Sequence, residues 1–357
     1  MNKLAIITIY DNNNYGNRLQ NYAMQIFLES NFDYKSVTIR NLTYKSSISR
    51  SIKELLKKSY SKFKSTTVKR KIKSFILFSE NINYTSEILY TGDNLDKFKN
   101  KYDKFIIGSD QIWNYDFREK YFGNFEFGLF ADSSKCISYS ASIGINDIPN
   151  DKKEIYKYGL NHLKYISVRE NRAKEIVEEL TGRTDVEVLV DPTMLLTPKE
   201  WDRVSKKPKQ LNFDNYILNY FLGELSELRR KEIERIAKEN NCKIINILDQ
   251  NDPFYVCGPS EFLYLEKHAF LICTDSFHSS VFAILYDRPF IVFDRKDNVV
   301  KMNSRIDTLL DKFNLKNRRY NGKITNENLE HDYKDAYKIL EEERKKSFKF
   351  LEDALKN

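Results

Sequence analysis

Short apolar segments alternate with helix-like segments along most of the chain, and this alternation limits the folds that the sequence can adopt. Leu4–Tyr10, Lys104–Gly108, Cys136–Ala141 and Tyr165–Val168 have the composition of buried strands, and 172–180 has the spacing of an amphipathic helix. Strands that alternate with helices pair in parallel, with helices on both faces of the sheet. Ligands of such sheets bind at the carboxyl ends of the strands. The sequence therefore predicts an α/β fold with its functional site at that edge.

The alternation occurs twice. A second series begins at Tyr216–Phe221, continues through Lys243–Leu248 and Phe270–Thr274, and ends at Pro289–Phe293. We therefore predict two Rossmann-like, doubly wound domains that face a cleft, followed by an amphipathic C-terminal helix. The predicted boundaries are 1–196 for the N-terminal domain (with a basic helical insertion at about 46–80), 197–213 for a linker, 214–322 for the C-terminal domain and 323–357 for the last helix.

Positive charge is concentrated in one segment. The formal net charge is +8, and Arg50–Ser74 contains ten basic residues but one acid, Glu54, so the rest of the chain is nearly neutral. Apolar residues recur in this segment every three to five positions, which predicts an amphipathic basic helix or a hairpin of helices. It is either a solvated helical insertion packed on the first domain or a contact with an anionic membrane face. Binding to nucleic acid through these residues is the third interpretation, although the chain has no recognised nucleic-acid module, and no nucleic acid is expected as a partner.

Composition and termini exclude other classes. With 41% hydrophobic and 14% aromatic residues the chain can bury a core, so wholesale disorder is excluded. No run approaches the roughly 18 apolar residues of a membrane-spanning helix. The segment Met1–Tyr10 predicts a first strand rather than a signal peptide. The four cysteines form no CxxC pair, which is typical of reduced thiols, so a cytoplasmic protein is expected, with peripheral contact at the inner membrane face if the basic segment binds there.

A polar loop follows the first predicted strand, and a helix is predicted from about Leu19 to Glu29. Gly16 and Asn17 lie in this loop, where backbone amides at a helix N-terminus can face an anion or a sugar. Ordinary turn and cap chemistry accounts for the same two residues, so both interpretations stay open.

A dense polar cluster follows the strand Lys104–Gly108. Ser109, Asp110 and Gln111 offer donors and acceptors for sugar hydroxyls, and Trp113 offers a flat face for a sugar ring. The alternative is a helix N-cap formed by Ser109 or Asp110 beside a tryptophan that is packed in the core.

Two further strand ends carry side chains suited to catalysis. Arg169 follows Tyr165–Val168, where a guanidinium can hold a phosphate or carboxylate through two parallel hydrogen bonds, or form an ion pair with Glu170. His278 follows the strand that ends at Thr274; imidazole can transfer protons near neutral pH, although a lone histidine is more often structural. None of the four histidines has the spacing of metal ligands, so no metal site is expected.

Together these motifs resemble the polysaccharide pyruvyl transferase family. Six elements occur in the family's order and cover about Ile6 to Leu315, which makes the resemblance more specific than any one motif. The elements are Gly16-Asn17-x-Leu19-Gln20-x-Tyr22-Ala23, Gly108-Ser109-Asp110-Gln111-x-Trp113-Asn114, Ser167-Val168-Arg169-Glu170, Val190-Asp191-Pro192-Thr193, Thr274-Asp275-Ser276-Phe277-His278 and Ser304-Arg305-Ile306 with Leu309-Leu310. The family is similar in architecture to GT-B glycosyltransferases, in agreement with the two predicted domains.

The resemblance implies a reaction. An enzyme of this family moves the enolpyruvyl group of phosphoenolpyruvate onto a sugar of a polysaccharide or its lipid-linked precursor, as a pyruvate ketal, and releases phosphate. No metal or other cofactor is implied, because phosphoenolpyruvate is the donor substrate. The expected partners are therefore phosphoenolpyruvate and a saccharide acceptor.

The resemblance also implies roles for individual residues. The donor is held by an arginine that matches Arg169 and by the segment that matches Ser276–His278. Some members have an arginine where this chain has Ser276, so Arg305 is a candidate for the second anion clamp here. We predict that His278 is the acid or base and Asp110 a second base. The predicted substrate-binding residues are Gly16, Asn17, Ser109, Gln111, Trp113, Ser276, Phe277, Ser279 and Arg305.

A GT-B glycosyltransferase that uses a nucleotide sugar is the nearest alternative. Such enzymes often contact the nucleotide in the second domain, at the start of a helix, and Gly258–Glu261 stands before a predicted helix there. The released product separates the two functions, since one releases phosphate and the other a nucleoside diphosphate.

Overall fold

Two parallel sheets organise the chain in a computed structural model that describes residues 2–10, 14–42, 66–90, 93–117, 122–295 and 304–356. The first sheet has the strand order β3-β2-β1-β4-β5-β6-β7 and the second the order β11-β10-β8-β9. The strands are β1 (Asn2–Ile7), β2 (Tyr34–Leu42), β3 (Tyr84–Tyr90), β4 (Lys104–Ile107), β5 (Cys136–Ala141), β6 (Tyr165–Val168), β7 (Glu187–Val188), β8 (Tyr216–Tyr220), β9 (Lys243–Asn246), β10 (Leu271–Thr274) and β11 (Phe290–Val292). Neighbouring strands pair in parallel in both sheets, as the sequence predicts.

Helices cover both sheets. They are α1 (Tyr15–Asn31), α2 (Thr66–Ser79), α3 (Asp96–Lys99), α4 (Lys153–His162), α5 (Asn171–Thr181), α6 (Pro198–Asp202), α7 (Glu227–Glu239), α8 (Pro259–His268), α9 (Phe277–Leu285), α10 (Ser304–Lys312), α11 (Asn326–Leu329) and α12 (Lys334–Lys356). Because helices cover the sheet, the central strands are buried on both faces: all six residues of β5 are buried, as are all five of β8. Among the described helices, none combines the length and the apolar composition that crossing a membrane requires.

Helix α1 begins four residues earlier than the hydrophobic pattern predicts. The side chain of Asn14 accepts a hydrogen bond from the Asn17 N–H, which caps the helix. A capped first turn needs no apolar residue of its own, so a pattern that starts at Leu19 misses it. The consequence is that Gly16 and Asn17 belong to the first turn of a helix rather than to a loop.

The last helix returns to the first sheet. Arg344 of α12 donates hydrogen bonds to the Met194 and Leu196 carbonyls. The ring of Phe350 lies 6.4 Å from that of Tyr139 in β5. The segment after residue 326, which the sequence predicts as one helix, is divided into α11 and α12 by residues 330–333.

Other predictions have mixed outcomes. Residues 50–65 of the basic segment lie outside the described residues, and its remainder begins α2. Within α2, Lys71 is only 5% exposed, so this basic residue lies on the packed side of the helix. The domain boundaries and the linker at 197–213 stay predictions; the short helix α6 lies within that linker.

Candidate functional site

The carboxyl ends of five strands meet the start of α9 at one polar site. Thr8 follows β1, Ser109 and Asp110 follow β4, Arg169 follows β6 and Asp191 follows β7, while His278 enters from the second sheet through the β10–α9 turn. Parallel strands place their carboxyl ends on one edge, and this juxtaposition is the one that the alternating pattern predicts. Ser140 and Ala141 at the end of β5 support the same edge through their backbone carbonyls.

Asp191 connects most of these groups. It is fully buried, and its Oδ2 atom accepts hydrogen bonds from Arg169 Nη1 at 2.7 Å and from Ser109 Oγ at 2.8 Å. Its Oδ1 atom accepts from the Thr193 N–H and hydroxyl. Burial alone raises the pKa of Asp191, but the neighbouring His278 and Arg169 outweigh burial and hold that pKa well below its usual range. Asp191 is therefore a fixed anion that orients the Arg169 guanidinium and the Ser109 hydroxyl.

Arg169 is held between two carboxylates. Its side chain is 1% exposed, with Nη1 on Asp191 and Nη2 at 3.4 Å from Asp110 Oδ1. The predicted alternative partner, Glu170, instead accepts from the Ser142 hydroxyl and two backbone N–H groups. The guanidinium carbon lies 4.4 Å from the centre of the Phe277 ring, a cation–π contact that fixes its plane.

His278 packs against the first turn of α1. A Cβ atom on Gly16 would lie 2.0 Å from His278 Nδ1, so only glycine leaves room for the imidazole. On the other side of the ring, His278 Nε2 lies 3.6 Å from Asp191 Oδ2, beyond ordinary hydrogen-bond length. The structure therefore brings Gly16 and His278 together, and the glycine provides space for the imidazole.

Asp110 and Asn17 complete the floor of the site. Asn17 Nδ2 donates to the Ile9 carbonyl at 2.7 Å and lies 3.4 Å from Asp110 Oδ2. Burial raises the pKa of Asp110, but the charge of Arg169, followed by those of His278 and Arg305, outweighs it and the pKa is lowered. A carboxylate of lowered pKa is a weak proton acceptor at neutral pH.

Arg305 adds a second buried guanidinium. It lies on α10. One turn later on the same helix, Thr308 Oγ1 accepts a hydrogen bond from the N–H of Asn171, which is two residues after Arg169. Burial, and next the like charge of Arg169, lower the pKa of Arg305 to about 10. No hydrogen bond or ion pair joins Arg305 to another described residue, so its charge is not neutralised by direct contact in this part of the chain.

Three buried nitrogens of this site share one property: none has a hydrogen-bond partner among the described residues. They are Arg169 Nε, Arg305 Nε and His278 Nε2. Buried polar atoms are nearly always paired, and leaving one unpaired costs about 1–3 kcal/mol. Two guanidinium donors and an imidazole nitrogen, all without hydrogen bonds in one buried site, fit an anionic, oxygen-rich ligand.

Some predicted substrate contacts are wrong. Trp113 is fully buried, stacks near Phe127 and donates its indole N–H to the Glu126 carbonyl, so no sugar ring can reach its face. The Ser279 hydroxyl donates to the buried Glu266 carboxyl at 2.6 Å on the inner side of α9 and is not available to a substrate.

The other predicted side chains lie at the site with structural contacts of their own. Gln111 Oε1 accepts from Asn114, and its side chain fills the space above Gly144 that a Cβ would occupy. Ser276 is the N-cap residue of α9, and its N–H donates to Thr274 Oγ1. Ser276 makes no side-chain capping hydrogen bond to the first turn of α9.

Asp191 is the residue that residue-by-residue reasoning missed. Its only signal is the Val190-Asp191-Pro192-Thr193 motif, which supports the family resemblance but indicates no role. The carboxylate becomes central because Thr193 fixes one oxygen and directs the other toward Arg169 and His278. Among the residues that the structure covers, no group of three or more His, Cys, Asp and Glu side chains could hold a metal ion.

The sequence comparison decides the family. A profile of the polysaccharide pyruvyl transferase family matches residues 14–298, well over half of the chain. The chain belongs to this family. Membership of this family implies an enzyme of the transferase class with a saccharide acceptor. The resemblance predicted from the six motifs is confirmed. A search of curated protein sequences found no significant match.

Solved structures confirm the fold class. The UDP-GlcNAc 2-epimerase of Neisseria meningitidis, bound to UDP-GlcNAc, superposes with a TM-score of 0.51 at 11% identity, covering 100% of both chains. A Listeria monocytogenes protein assigned as UDP-N-acetylglucosamine 2-epimerase has the same TM-score and identity and covers 98% of this chain and 89% of its own. These likenesses establish a GT-B-like arrangement for this polysaccharide pyruvyl transferase, and they concern the fold alone.

Proposed function

We propose that this chain transfers the enolpyruvyl group of phosphoenolpyruvate to two hydroxyls of a saccharide, forming a pyruvate ketal and releasing phosphate. The observation that carries the proposal is the group of three unpaired, buried nitrogens on Arg169, Arg305 and His278. Phosphoenolpyruvate brings a phosphate and a carboxylate, and guanidinium groups bind both through charge-assisted hydrogen bonds. Family membership supplies the transferase class and the saccharide acceptor.

In this proposal the two arginines have different roles in binding phosphoenolpyruvate. Arg169 is already paired with Asp110 and Asp191, so it serves as an oriented donor of hydrogen bonds rather than as free positive charge. Arg305 has no such partner among the described residues and supplies the charge that attracts an anion. It takes the place of the arginine that some members of the family carry at the position of Ser276.

The chemistry requires two proton movements. A proton adds to the methylene carbon of the donor, and positive charge develops at the adjacent carbon, which a sugar hydroxyl attacks. A second hydroxyl then replaces the phosphate at the same carbon, so that one hydroxyl proton ends on the new methyl group and the other on the released phosphate. A positioned acid or base contributes typically 10²–10⁴-fold to such steps.

We assign the proton transfers to His278 and a positioning role to Asp110. His278 Nε2 is buried, makes no hydrogen bond to a described residue and lies 3.6 Å from Asp191 Oδ2. Asp110, in contrast, is a weak base because its pKa is lowered. Asp110 and Asp191 then hold Arg169 in one orientation. Neither step is assigned to a metal, and the metal independence of the reaction stays a prediction.

The decisive assay offers phosphoenolpyruvate with saccharide and lipid-linked acceptors. It measures released phosphate and, by mass spectrometry, an acceptor heavier by one pyruvate less one water. His278→Gln should lower the rate by about 10²-fold or more. His268→Gln is the matched control, because His268 lies outside the site, at the exposed end of α8. Equal rates for both variants, or release of a nucleoside diphosphate from a nucleotide sugar with no phosphate from phosphoenolpyruvate, would contradict the proposal.

The nucleotide contact considered for a glycosyltransferase lacks support in this geometry. A Cβ on Gly258 would lie 2.7 Å from the Ser74 side chain of α2, so α2 covers the start of α8. The Ser74 hydroxyl also donates to the Val256 carbonyl. A nucleotide could bind at Gly258–Glu261 only after α2 moved away.

We further propose that the outer face of α2 contacts an anionic membrane, where a lipid-linked acceptor lies. Lys69, Arg70 and Lys73 are exposed on this helix, beside Ile76 and Leu77, which are 52% and 51% exposed. A face that combines lysines with exposed aliphatic side chains fits a phospholipid surface.

Vesicle sedimentation tests this membrane contact. Reversing Lys69, Arg70 and Lys73 to glutamate should abolish binding to phosphatidylglycerol vesicles and spare activity on a soluble acceptor. The matched control reverses Lys206, Lys207 and Lys209, which lie elsewhere on the surface. Undiminished vesicle binding by the α2 variant would show that this face has no such role.

A further inference from the structure

A cavity of about 210 Å³ opens between the ends of β8 and β9, outside the site described above. Asn219 and Asn246 form its floor, Phe221 and Leu248 are apolar walls, and Arg230 and Asp249 stand at its rim. Asn219 and Asn246 are register partners at the last positions where β8 and β9 pair. The cavity is therefore at the carboxyl edge of the second sheet, where ligands of such sheets bind.

The floor presents one unsatisfied acceptor. Asn219 is 5% exposed, and its Nδ2 donates to Asn246 Oδ1 at 2.9 Å. Its own Oδ1 atom is buried and accepts no hydrogen bond from any described residue. A buried amide oxygen without a donor is unfavourable, so it marks a place for a ligand O–H or N–H.

The lining as a whole has the chemistry of a sugar site. It offers an amide acceptor, an amide donor on Asn246, a carboxylate on Asp249 and a guanidinium on Arg230, arranged around an aromatic and aliphatic wall. Alternating donors and acceptors match ring hydroxyls, and Phe221 matches a ring face. The volume lies below the roughly 300–1,000 Å³ of sites for larger ligands, which favours a single ring. Arg230 is the one cation among these lining residues, and the negative charge of the neighbouring Asp249 would repel a polyphosphate.

The cavity lies one strand away from β10, the strand that leads to His278. Strand β8 lies between β9 and β10, and His278 follows β10. Since adjacent strands are about 4.8 Å apart, the gap between β8 and β9 lies on the order of 7 Å from the line of β10. The loop after β8, which forms one wall, donates the Leu222 and Gly223 N–H groups to Asp275 in the turn before His278.

We propose that this cavity binds one sugar ring of the acceptor, adjacent in the glycan to the sugar that receives the pyruvyl group near His278. The proposal rests on the proposed function for the identity of the reacting sugar, whereas binding of a ring in the cavity does not depend on phosphoenolpyruvate. The enzyme then recognises at least two sugars, and a disaccharide acceptor binds more tightly than a monosaccharide.

Binding is tested on the full chain without a donor. The probes are methyl glycosides of glucose, galactose, mannose and N-acetylglucosamine together with their disaccharides, titrated by saturation-transfer NMR. Removing one hydrogen-bonding group should weaken binding about tenfold, so Asn219→Ala and the double variant Arg230→Ala/Asp249→Ala are both expected to raise Kd by that factor or more. Lys231→Ala and Gln250→Ala are matched controls, because they are exposed neighbours that do not line the cavity.

The possible results distinguish sugar binding in the cavity from the proposed pyruvyl transfer. If Asn219→Ala fails to fold, as a thermal unfolding scan would show, the double rim variant decides, since both of its residues are exposed. No binding by any probe, an unchanged Kd in the variants, or binding of UDP in place of the sugars would overturn the proposal. Sugar binding without phosphate release from phosphoenolpyruvate would sustain the cavity assignment and reject the proposed reaction. If the chain both binds sugars and releases phosphate from phosphoenolpyruvate, the cavity variants should raise the KM for the disaccharide about tenfold and leave the KM for phosphoenolpyruvate unchanged.

Discussion

Gly16 is the residue on which the position of the His278 ring depends. Gly16→Ala puts a methyl group 2.0 Å from Nδ1, so the imidazole must move. A displacement of about 1 Å at a reacting group can cost 10²-fold in rate. Alanine favours helix over glycine by about 1 kcal/mol, so α1 itself should not be weakened. Because Gly16 and His278 are both buried, the same clash should lower Tm through overpacking. We expect a loss of about 10²-fold in phosphate release per folded molecule.

The matched control for this variant is Gly159→Ala in α4. A Cβ at Gly159 would lie 2.3 Å from the Phe127 ring, in a core cluster away from the site. This substitution should lower Tm through overpacking and leave the activity per folded molecule intact. A Gly16→Ala enzyme with wild-type activity would show that the imidazole position does not matter.

Asp191→Asn tests the buried anion at the centre of the site. Removing one partner of a buried ion pair typically lowers the free energy of unfolding by about 3–5 kcal/mol. Because Asp110 remains to compensate the charge of Arg169, we expect a loss of about 3 kcal/mol. Because the folded-state pKa of Asp191 is depressed, its contribution is complete above its unfolded pKa near 4 and is lost as the pH falls toward the folded value.

Urea unfolding as a function of pH measures this contribution. The difference in unfolding free energy between wild type and Asp191→Asn should be largest above about pH 4 and shrink below it. Asp185→Asn, which breaks an exposed pair with Arg183, is the control and should cost less than about 1 kcal/mol. A difference that grew on acidification would contradict a depressed pKa at Asp191.

At the scale of elements, periodicity predicted strands well where they are buried on both faces. The predicted bounds of β5 and β6 agree with the structure because both are short apolar runs bounded by polar residues. Strand β3 was not predicted, since its residues alternate irregularly between buried and exposed and three of the seven, Thr85, Ser86 and Glu87, are polar. The break between α11 and α12 has no Pro or Gly in residues 330–333, so the charged pattern continues through it.

Helix α2 packs against α1 and against residues 256–258, and it buries a lysine there. Lys71 Nζ lies 4.3 Å from the centre of the Tyr255 ring and 5.1 Å from that of Tyr15. Burial lowers the pKa of Lys71 to about 8. Below that pH the folded protein carries a desolvated charge, and the cost is relieved as the pH rises from about 8 toward the unfolded value near 10.4.

Lys71→Met should therefore be more stable than wild type at pH 7, by up to about 3 kcal/mol, and the difference in unfolding free energy should fall below about 1 kcal/mol at pH 10. Guanidinium unfolding at pH 7, 9 and 10 measures it. Lys73→Met, exposed on the same helix, should stay within about 0.5 kcal/mol of wild type at every pH. If Lys71→Met were less stable at pH 7, the cation–π contacts would outweigh the cost of burial.

At the scale of the whole molecule, the site could be predicted only in part because its residues come from distant segments. Arg169 and His278 follow apolar strands and were identified as candidates, whereas their common partner Asp191 follows the two-residue strand β7. Trp113 was misassigned because its burial depends on Phe127 and Glu126, to which no local pattern connects it. Sequence patterns locate the edge of a sheet, but the pairing of side chains across it depends on tertiary packing.

One hydrophobic cluster runs through both sheets and the last helix, with members such as Tyr139, Leu218 and Leu351. A continuous core couples the stability of both sheets, so the molecule should unfold in one cooperative transition. Phe350→Ala in α12 removes a ring that is 6% exposed and faces Tyr139 and Tyr165 of the first sheet.

This truncation should cost about 3–5 kcal/mol and shift the single transition as a whole. Differential scanning calorimetry measures the number of transitions, and circular dichroism with tyrosine fluorescence gives the midpoint. Lys349→Ala removes only exposed ion pairs next to Phe350 and should change the unfolding free energy by less than about 1 kcal/mol. Two resolved transitions in Phe350→Ala, with only one of them shifted, would mean that the sheets unfold independently and that α12 belongs energetically to the first sheet alone.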